Sequence, residues 1–299
     1  MQPIQKIDIH AHAAAFSEWI PHNPRTKLKF LGAEELIGFY DRLNIEKGVL
    51  LPLCSAEGQW FMMTSENCKF LAEKYPERFL WFCGIDPRMG DNNEKTDLAY
   101  LIAHYKALGA KGVGELTCQL YADDPLLDHL YSALEETDMP LTIHIAPKFG
   151  DGYGIVDELG LPRIEKMLKK HPNMKVLGHS QVFWSEISAD VTEEIRGRYP
   201  RGKVTEGRIS KLMREYGNLY CDLSAGSGAN ALMRDPEFAA RFIEEFSDRI
   251  LYGCDICSAE NKKAYDFDAF LTEMWRSGTV SEENYRKIVR ENAVKLLKL

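Results

Sequence analysis

The stretch IQKIDIHAH, residues 4–12, is a short apolar segment that ends in two histidines. Side chains of a strand alternate between its two faces, so Asp8, His10 and His12 are expected to point to the same side. An open doubly wound sheet would place a Gly-rich phosphate loop after its first strand, and His10-Ala11-His12 stands there instead. Two imidazoles in this register can reach one ion, which favours a metal site over a pair of packed polar side chains.

Short apolar segments of the same kind recur along the chain, and longer amphipathic helical segments separate them. The predicted strands are Ile4–Ile9, Lys47–Pro52, Phe79–Ile85, Lys111–Leu116, Leu141–Ile145, Lys175–Gly178, Leu219–Leu223 and Ile250–Cys254. Near-continuous apolar runs are typical of parallel strands buried on both faces. Eight strands that alternate with helices favour a closed (β/α)8 barrel, with an open doubly wound sheet as the alternative. No repeat or linker interrupts the pattern, so we expect one domain over residues 1–299.

Composition limits the classes of function. The chain has 299 residues, a 45% hydrophobic and 27% charged fraction, and a formal net charge of −8. Such a chain can bury a large core, and its acidic balance argues against nucleic acid or an anionic membrane as a partner. No apolar run reaches the roughly 18 residues of a membrane span. No signal peptide is visible, and seven cysteines, an odd number, fit reduced thiols, so a cytoplasmic location is expected.

Later strands also end in residues that can bind a metal. The fourth ends at Glu115, the fifth at His144 and the sixth at His179, while Asp255 follows the eighth. The carboxyl ends of barrel strands meet at one mouth, where catalytic residues lie in this fold. A buried histidine or carboxylate without a partner is costly, so these residues are expected to converge on a shared ion. Three other histidines, His104, His129 and His171, fall on helical segments and are predicted to be surface residues.

The arrangement resembles the amidohydrolase superfamily, in particular its amidohydrolase-related branch of metal-dependent hydrolases. The resemblance covers nearly the whole chain and rests on residues 8–12, 141–144, 177–180, 218–224, 249–255 and 291–297. Two departures stand out: Cys254 replaces the usual Ser before the eighth-strand Asp, and Gly114-Glu115 resembles the motif of TatD-related hydrolases, whose Glu bridges two metals. The resemblance implies a distorted (β/α)8 barrel with a divalent metal at the C-terminal ends of the strands.

The resemblance also implies roles for the individual residues. His10 and His12 would bind the first metal, with His144 and Asp255 completing or bridging the site. Glu115 and His179 would bind a second metal if the centre is binuclear. In a mononuclear centre His179 would polarise the substrate or carry a proton, and Glu115 would hold another side chain by a hydrogen bond. Asp8 would be a further ligand or orient His10, or alternatively would bond to loop amides.

The ligand types indicate the chemistry. Imidazole and carboxylate ligands suit Zn²⁺ best, with Mn²⁺ or Fe²⁺ as alternatives, in a centre of one or two ions. Beside a water activated by such an ion, Asp255 can act as general base and then as general acid, with help from His179. We therefore expect a metal-dependent hydrolase that cleaves a lactone, ester or amide. The same branch resembles aminocarboxymuconate semialdehyde decarboxylase, so a mononuclear decarboxylase or hydratase is the alternative within enzymes, and a catalytically silent barrel the alternative outside them.

The loops after the strands carry the candidate substrate-binding residues. Arg25 and Lys148 could pair with a substrate carboxylate, and Trp184 could form an aromatic wall. Each of them has an ordinary alternative, as solvated loop charge or as loop packing. The expected partner is a small molecule, with neither nucleic acid nor membrane. Family members are often dimers, which makes a homodimer one assembly to expect.

Overall fold

The computed structural model describes residues 4–58 and 60–299, in which strands and helices alternate along the chain. The nine strands of these residues are β1 (Lys6–Ala11), β2 (Ile45–Leu50), β3 (Phe79–Trp81), β4 (Val113–Leu116), β5 (Leu141–Ala146), β6 (Ile155–Val156), β7 (Val176–His179), β8 (Leu219–Asp222) and β9 (Ile250–Leu251). All except β6 coincide with a strand predicted from the apolar pattern. The two-residue β6 lies in a predicted loop and pairs with the end of β5.

Helices fill the connections between the strands. They are α1 (Ala33–Leu43), α2 (Ser65–Lys74), α3 (Leu98–Ala107), α4 (Pro125–Thr137), α5 (Pro162–Lys170), α6 (Gln181–Ser185), α7 (Arg208–Glu215), α8 (Ala225–Met233), α9 (Pro236–Phe246), α10 (Lys263–Arg276), α11 (Glu282–Arg286) and α12 (Asn292–Leu297). Asp124 caps the start of α4, because its side chain accepts a hydrogen bond from the Leu126 N–H, and Pro125 occupies the first turn. A π-helical turn at Lys287–Glu291 lies between α11 and α12.

The strands form a barrel. They pair in parallel as β1-β2-β3 and as β4-β5-β7-β8-β9. The Cys83 N–H donates to the Gly112 carbonyl at 2.9 Å, which joins the β3 side to the β4 side. The Ile9 N–H donates to the Tyr252 carbonyl at 3.0 Å, which joins β1 to the β9 side. The predicted distorted (β/α)8 barrel is therefore confirmed, and it brings the ends of eight strands to one mouth.

Apolar burial holds the helices on the strands. The larger cluster of buried side chains runs between the strands and the surrounding helices, and it includes Tyr40, Leu130 and Phe242. A smaller cluster packs Leu296 and Leu297 of α12 against strand residues such as Ile9. Because the strands are covered by apolar side chains, polar groups at their carboxyl ends must find partners among themselves.

No helix in residues 4–58 and 60–299 is both long enough and apolar enough to cross a bilayer.

Candidate metal centre

Six side chains predicted as metal ligands lie together at the mouth of the barrel. His10 comes from β1 and His12 directly follows it, while Glu115, His144 and His179 come from β4, β5 and β7. Asp255 follows β9 and completes the set. In three overlapping groups of these residues, the ligand atoms lie within 4.8 Å of one another. A chain that separates these residues by up to 245 positions thus brings them to one point.

Two histidines at the end of β1 form the centre of this cluster. The Nε2 atoms of His10 and His12 are 3.1 Å apart. The Nδ1 atom of each ring contacts an oxygen on the side away from the pair. His10 Nδ1 lies 2.6 Å from Asp222 Oδ2, and His12 Nδ1 lies 2.8 Å from the Leu51 carbonyl oxygen. This contact fixes the tautomer that leaves the Nε2 lone pair free, which is the usual support for a metal-binding imidazole.

Two carboxylates face the same pair of nitrogens. Glu115 Oε2 lies 3.4 Å from His12 Nε2 and 3.7 Å from His10 Nε2. Asp255 Oδ1 lies 3.6 Å and 3.9 Å from the same two atoms. Ligands of a tetrahedral ion bound at about 2.0–2.1 Å are separated by about 3.3 Å. The distance of each carboxylate oxygen from the two nitrogens is therefore close to that between ligands that share one ion.

The other oxygen of Glu115 faces a different imidazole. Glu115 Oε1 lies 2.6 Å from His144 Nδ1. His179 stands next to this pair, and Glu115, His144 and His179 form one of the three close groups. On its far side, His179 Nε2 lies 3.9 Å from Asp255 Oδ2. Glu115 and Asp255 therefore each offer one oxygen to the His10–His12 pair and the second oxygen to the side of His144 and His179.

The charges of the cluster favour a cation between its members. Burial alone would lower the pKa of His10, but the carboxylates of Asp222, Asp255 and Glu115 outweigh it and raise that pKa well above its usual range. Burial likewise opposes the ionised form of Glu115, yet His144, His10 and His12 bring its pKa well below the usual range. His10 and His179 also bring the pKa of Asp222 below its usual range, so Glu115 and Asp222 both favour the ionised form beside imidazoles that are almost fully buried. Such a donor set fits a divalent cation.

Comparison with known proteins assigns the chain to a family. A family model described as amidohydrolase matches residues 7–299.

The chain belongs to the amidohydrolase family.

Solved structures that resemble this amidohydrolase share its fold at low sequence identity. An uncharacterised TIM-barrel protein from Bordetella bronchiseptica is 17% identical with a TM-score of 0.65, and the match covers 99% of each chain. A probable 2-pyrone-4,6-dicarboxylic acid hydrolase from Acinetobacter baumannii is 14% identical with a TM-score of 0.63, over 99% of this chain and 100% of that one.

A third solved structure contains a metal. It is 5-carboxyvanillate decarboxylase from Novosphingobium aromaticivorans, complexed with manganese and 4-hydroxy-3-methoxy-5-nitrobenzoic acid. It is 18% identical with a TM-score of 0.64, and the match covers 99% of this chain and 96% of that chain. A comparison with curated proteins finds no match.

Asp222 is a member of the site whose role the sequence did not predict. It ends β8, and its Oδ2 contacts His10 Nδ1 at 2.6 Å and lies 3.5 Å from His179 Nδ1. Ser224 adds a second contact, with its Oγ 2.9 Å from His179 Nδ1, and its N–H donates to Asp222 Oδ1 at 2.9 Å. One carboxylate of the amidohydrolase thus orients two imidazoles of the cluster. An Asp at the end of a buried strand was the available sequence signal.

We expect Asp222→Asn to weaken metal binding about 10- to 100-fold, the usual effect of removing a carboxylate that orients a metal-binding histidine. An amide gives His10 a neutral acceptor or a competing donor, so the ring loses part of its orientation and basicity. Metal affinity measured by competition with a chelator checks this result. Asp248→Asn, at an exposed surface ion pair with Lys287, is the control and should bind metal as the unmodified protein does. Unchanged affinity in Asp222→Asn would refute the role.

Asp8 does not join the cluster, which corrects the expectation that it shares a face with His10 and His12. Its Oδ1 accepts from the N–H groups of His10 and Cys254, and its Oδ2 accepts from the hydroxyl of Tyr40 on α1. The pairing of β1 with β2 shifts register between Asp8 and Ala11, so the strict alternation of faces is lost across this point. Of the roles considered, bonding to backbone amides is the one that the structure supports.

A cavity of about 640 Å³ opens beside His144. Lys148, one of the predicted substrate-binding residues, lines it, together with Tyr153, Gln181 and Arg198. The ring of Tyr153 lies against that of His144, with 4.1 Å between the ring centroids. The cavity thus connects the cluster to solvent through a wall that carries both aromatic and cationic groups. Lys148 is therefore positioned to meet a substrate, and its role stays a prediction.

The other two predicted substrate-binding residues lie elsewhere in the amidohydrolase. Arg25 is exposed, stands over the ring of Trp60 at 5.8 Å, and is not among the residues that line this cavity. Trp184 is only 2% exposed, because α6 packs its indole against Phe242 and its Nε1–H donates to the Asp222 carbonyl at 2.9 Å. A side chain enclosed in this way cannot wall a substrate, and this corrects the prediction for Trp184.

The remaining histidines also differ in part from expectation. His104 is exposed and His129 is half-buried on its helix. His171, predicted as a surface residue, is only 3% exposed and lies between Asp128 and Glu135, with contacts of 2.9 Å and 3.0 Å to its two ring nitrogens. This correction reflects tertiary partners from α4 that the local sequence around His171 does not reveal.

Proposed function

We propose that this amidohydrolase is a hydrolase with a binuclear metal centre that cleaves a lactone, ester or amide whose substrate carries a carboxylate. The observation that carries the proposal is the position of Glu115. Its two oxygens face two separate imidazole groups, His10 with His12 on one side and His144 on the other. A carboxylate placed between two such groups could offer one oxygen to each of two ions.

The residues divide between two ions as follows. His10, His12, Glu115 and Asp255 would hold the first ion, while Glu115, His144 and His179 would hold the second. Nitrogen and carboxylate ligands suit zinc, and the manganese bound by 5-carboxyvanillate decarboxylase makes manganese the second choice. When bound, a divalent cation supplies Lewis acidity and lowers the pKa of water from 15.7 to about 7.

Asp255 is the proton acceptor of the proposed reaction. Its side chain is 22% exposed, whereas those of His10, His12, Glu115, His144 and His179 are at most 9% exposed. It is therefore the cluster member best placed to meet water. In this role the Asp255 carboxylate takes a proton from the attacking water and returns it to the leaving oxygen or nitrogen. The net reaction consumes one water and forms an acid and an alcohol or amine.

Two further groups would hold the substrate. Lys148 lines the cavity and can pair with a substrate carboxylate, which leaves the scissile carbonyl nearer to the cluster. His179 is neutral at physiological pH, because burial and the neighbouring His10 lower its pKa to about 4. A neutral imidazole can keep its Nε2 lone pair for a cation while its Nδ1–H donates to Ser224, so His179 is suited to a ligand rather than to a charged acid.

A mononuclear decarboxylase is the second candidate, and one contact favours it. The 2.6 Å separation between His144 Nδ1 and Glu115 Oε1 is shorter than two ligands of one ion would adopt, and it fits a carboxylate that orients a single metal-binding histidine. Two of the solved relatives described above differ in the same way, one being named a hydrolase and the other a decarboxylase of an aromatic acid.

Metal stoichiometry separates the two candidates. Elemental analysis of the purified protein should find about two divalent ions per chain, and Glu115→Gln should reduce this to about one, because a neutral amide bridges metals poorly. Hydrolysis of carboxylate-bearing lactones, esters and amides should fall with the lost ion. The control Glu186→Gln changes an equally buried carboxylate outside the cluster and should keep both ions.

Other outcomes would contradict the hydrolase. One ion per chain with activity unaffected by Glu115→Gln, together with release of carbon dioxide from aromatic carboxylates, would establish the decarboxylase instead. An absence of bound metal above background in the wild-type protein, with no Co²⁺ absorption bands on reconstitution, would refute both candidates.

A further inference from the structure

A second cavity, with four cationic side chains in its lining, lies beside the first. Its volume is about 330 Å³, and its lining includes Arg198, Arg201, Lys203 and Arg234. Asp190 is the one acidic side chain among the lining residues. Arg198 lines both this cavity and the one that opens at His144. The metal ligands contribute nothing to this second cavity.

Arg234 is the least exposed of the four cationic residues that line this cavity. Its Nε and Nη2 atoms are buried and have no hydrogen-bond partner among residues 4–58 and 60–299. A buried donor without a partner is destabilising, most of all when the group is charged. Arg234 follows the last residue of α8, and the helix dipole there favours a cation, but the dipole leaves both nitrogens unpartnered.

The nearby carboxylates do not compensate this charge. Asp235 uses its oxygens to accept from the N–H groups of Val204 and Phe238, as the cap of α9. Asp190 Oδ2 accepts from the Ser188 hydroxyl at 3.3 Å. Burial lowers the pKa of Arg234, and the opposing influence of Asp235 and Asp190 is too small to reverse this.

The other cations add to the same local charge. Neither Arg198 nor Arg201 makes an ion pair within 4.0 Å among the described parts of the chain, and Lys203 pairs with Glu237 only at the exposed rim. An Arg side chain presents several donors in a planar fork that matches the oxygens of a carboxylate or phosphate. A small anion in the cavity would meet the accessible part of the Arg234 guanidinium together with Arg198 and Arg201, which line the same cavity.

We infer that this cavity, lined by Arg198, Arg201, Lys203 and Arg234, is a binding site for a small oxyanion, a phosphate or carboxylate group, separate from the metal cluster. The inference does not depend on the reaction proposed above. Because Arg198 contributes to both cavities, an anion in this site would share a wall with the substrate.

The test is a calorimetric titration of the metal-loaded protein with inorganic phosphate and, in a separate arm, with succinate. Saturable binding is expected in at least one arm, and the tighter of the two identifies the source of the oxyanion. Arg234→Gln should weaken that binding at least about tenfold, since it removes charge-assisted hydrogen bonds. Arg276→Gln, which changes an exposed arginine at the end of α10, is the matched control and should bind as the wild-type protein does.

The design also covers the outcomes that contradict the site. An anion bound at the metal cluster would retain its affinity in Arg234→Gln, and this result would overturn the inference, as would the absence of saturable binding in both arms. If Arg234→Gln does not fold, as judged by its thermal melt, Arg201→Gln replaces it, because Arg201 is exposed. That variant should lower the affinity several-fold, and an unchanged affinity would refute the site.

Discussion

Asp255→Asn is expected to reduce turnover about 10³-fold or more while leaving the fold intact. A general base contributes about 10²- to 10⁴-fold to a rate, and Asp255 also supplies an oxygen to the cluster, with Oδ1 3.6 Å from His12 Nε2. An amide at this position can neither accept the proton of water nor neutralise a cation. The kcat of the hydrolysis proposed above is the measurement.

The backbone at Asp255 makes this substitution a clean one. Its φ is +49°, in the left-handed region. Asn and Asp are both enriched there among residues with a side chain, so Asn can take the same backbone conformation. The Asp255 N–H, which donates to the His10 carbonyl at 2.8 Å, is retained in the variant. Circular dichroism and melting temperature should therefore match the wild-type protein, and metal content measured in parallel separates loss of the base from loss of an ion. Wild-type kcat in Asp255→Asn would overturn the assignment.

His10→Ala should remove the first metal ion and, with it, all measurable activity. The ring of His10 is fully buried and contacts Asp222, His12 and Glu115, so its loss also leaves the Asp222 carboxylate without its closest partner. An unpartnered buried carboxylate is destabilising, and we expect a lower melting temperature as well. Elemental analysis after dialysis against metal-free buffer gives the occupancy.

The control for this prediction must separate metal loss from destabilisation. His171→Ala serves, because His171 is similarly buried and also lies between two carboxylates, those of Asp128 and Glu135 on α4, and it belongs to none of the close groups of metal-binding side chains. It should lower the melting temperature while keeping the full metal content. If His10→Ala kept its metal while His171→Ala lost it, the ligand assignment for β1 would be wrong.

The barrel and the membership of the cluster could be predicted because both leave local marks in the sequence. Parallel strands covered on both faces appear as short apolar runs, and His144 and His179 each end such a run. The convergence of these ends follows from the fold class alone. What each residue would bind, and how many ions, depends on angles and distances that no local pattern carries.

The features that escaped prediction depend on packing between distant segments. Asp222 lies at a strand end, as several of the predicted metal ligands do. Only the folded chain shows that it contacts and orients His10 and His179. Trp184 on α6 is enclosed partly by Phe242, which lies more than fifty residues later in the chain. The helix α8 begins with Ala225-Gly226-Ser227-Gly228, and its two glycines weaken the local signal for a helix.

The seam between the first and last strands has a consequence for how the protein matures. His10 and Asp255 come from opposite ends of the chain, and the Cys254 N–H bonds to Asp8 across a separation of 246 residues. Closing such a long loop is slow, because the chain loses conformational entropy before the contacts that stabilise the closed loop can form. On the ribosome, Asp255 is synthesised 245 residues after His10. Capture of the metal by the complete ligand set should therefore follow the synthesis of Asp255, and a chain truncated before Asp255 should be released without a functional centre.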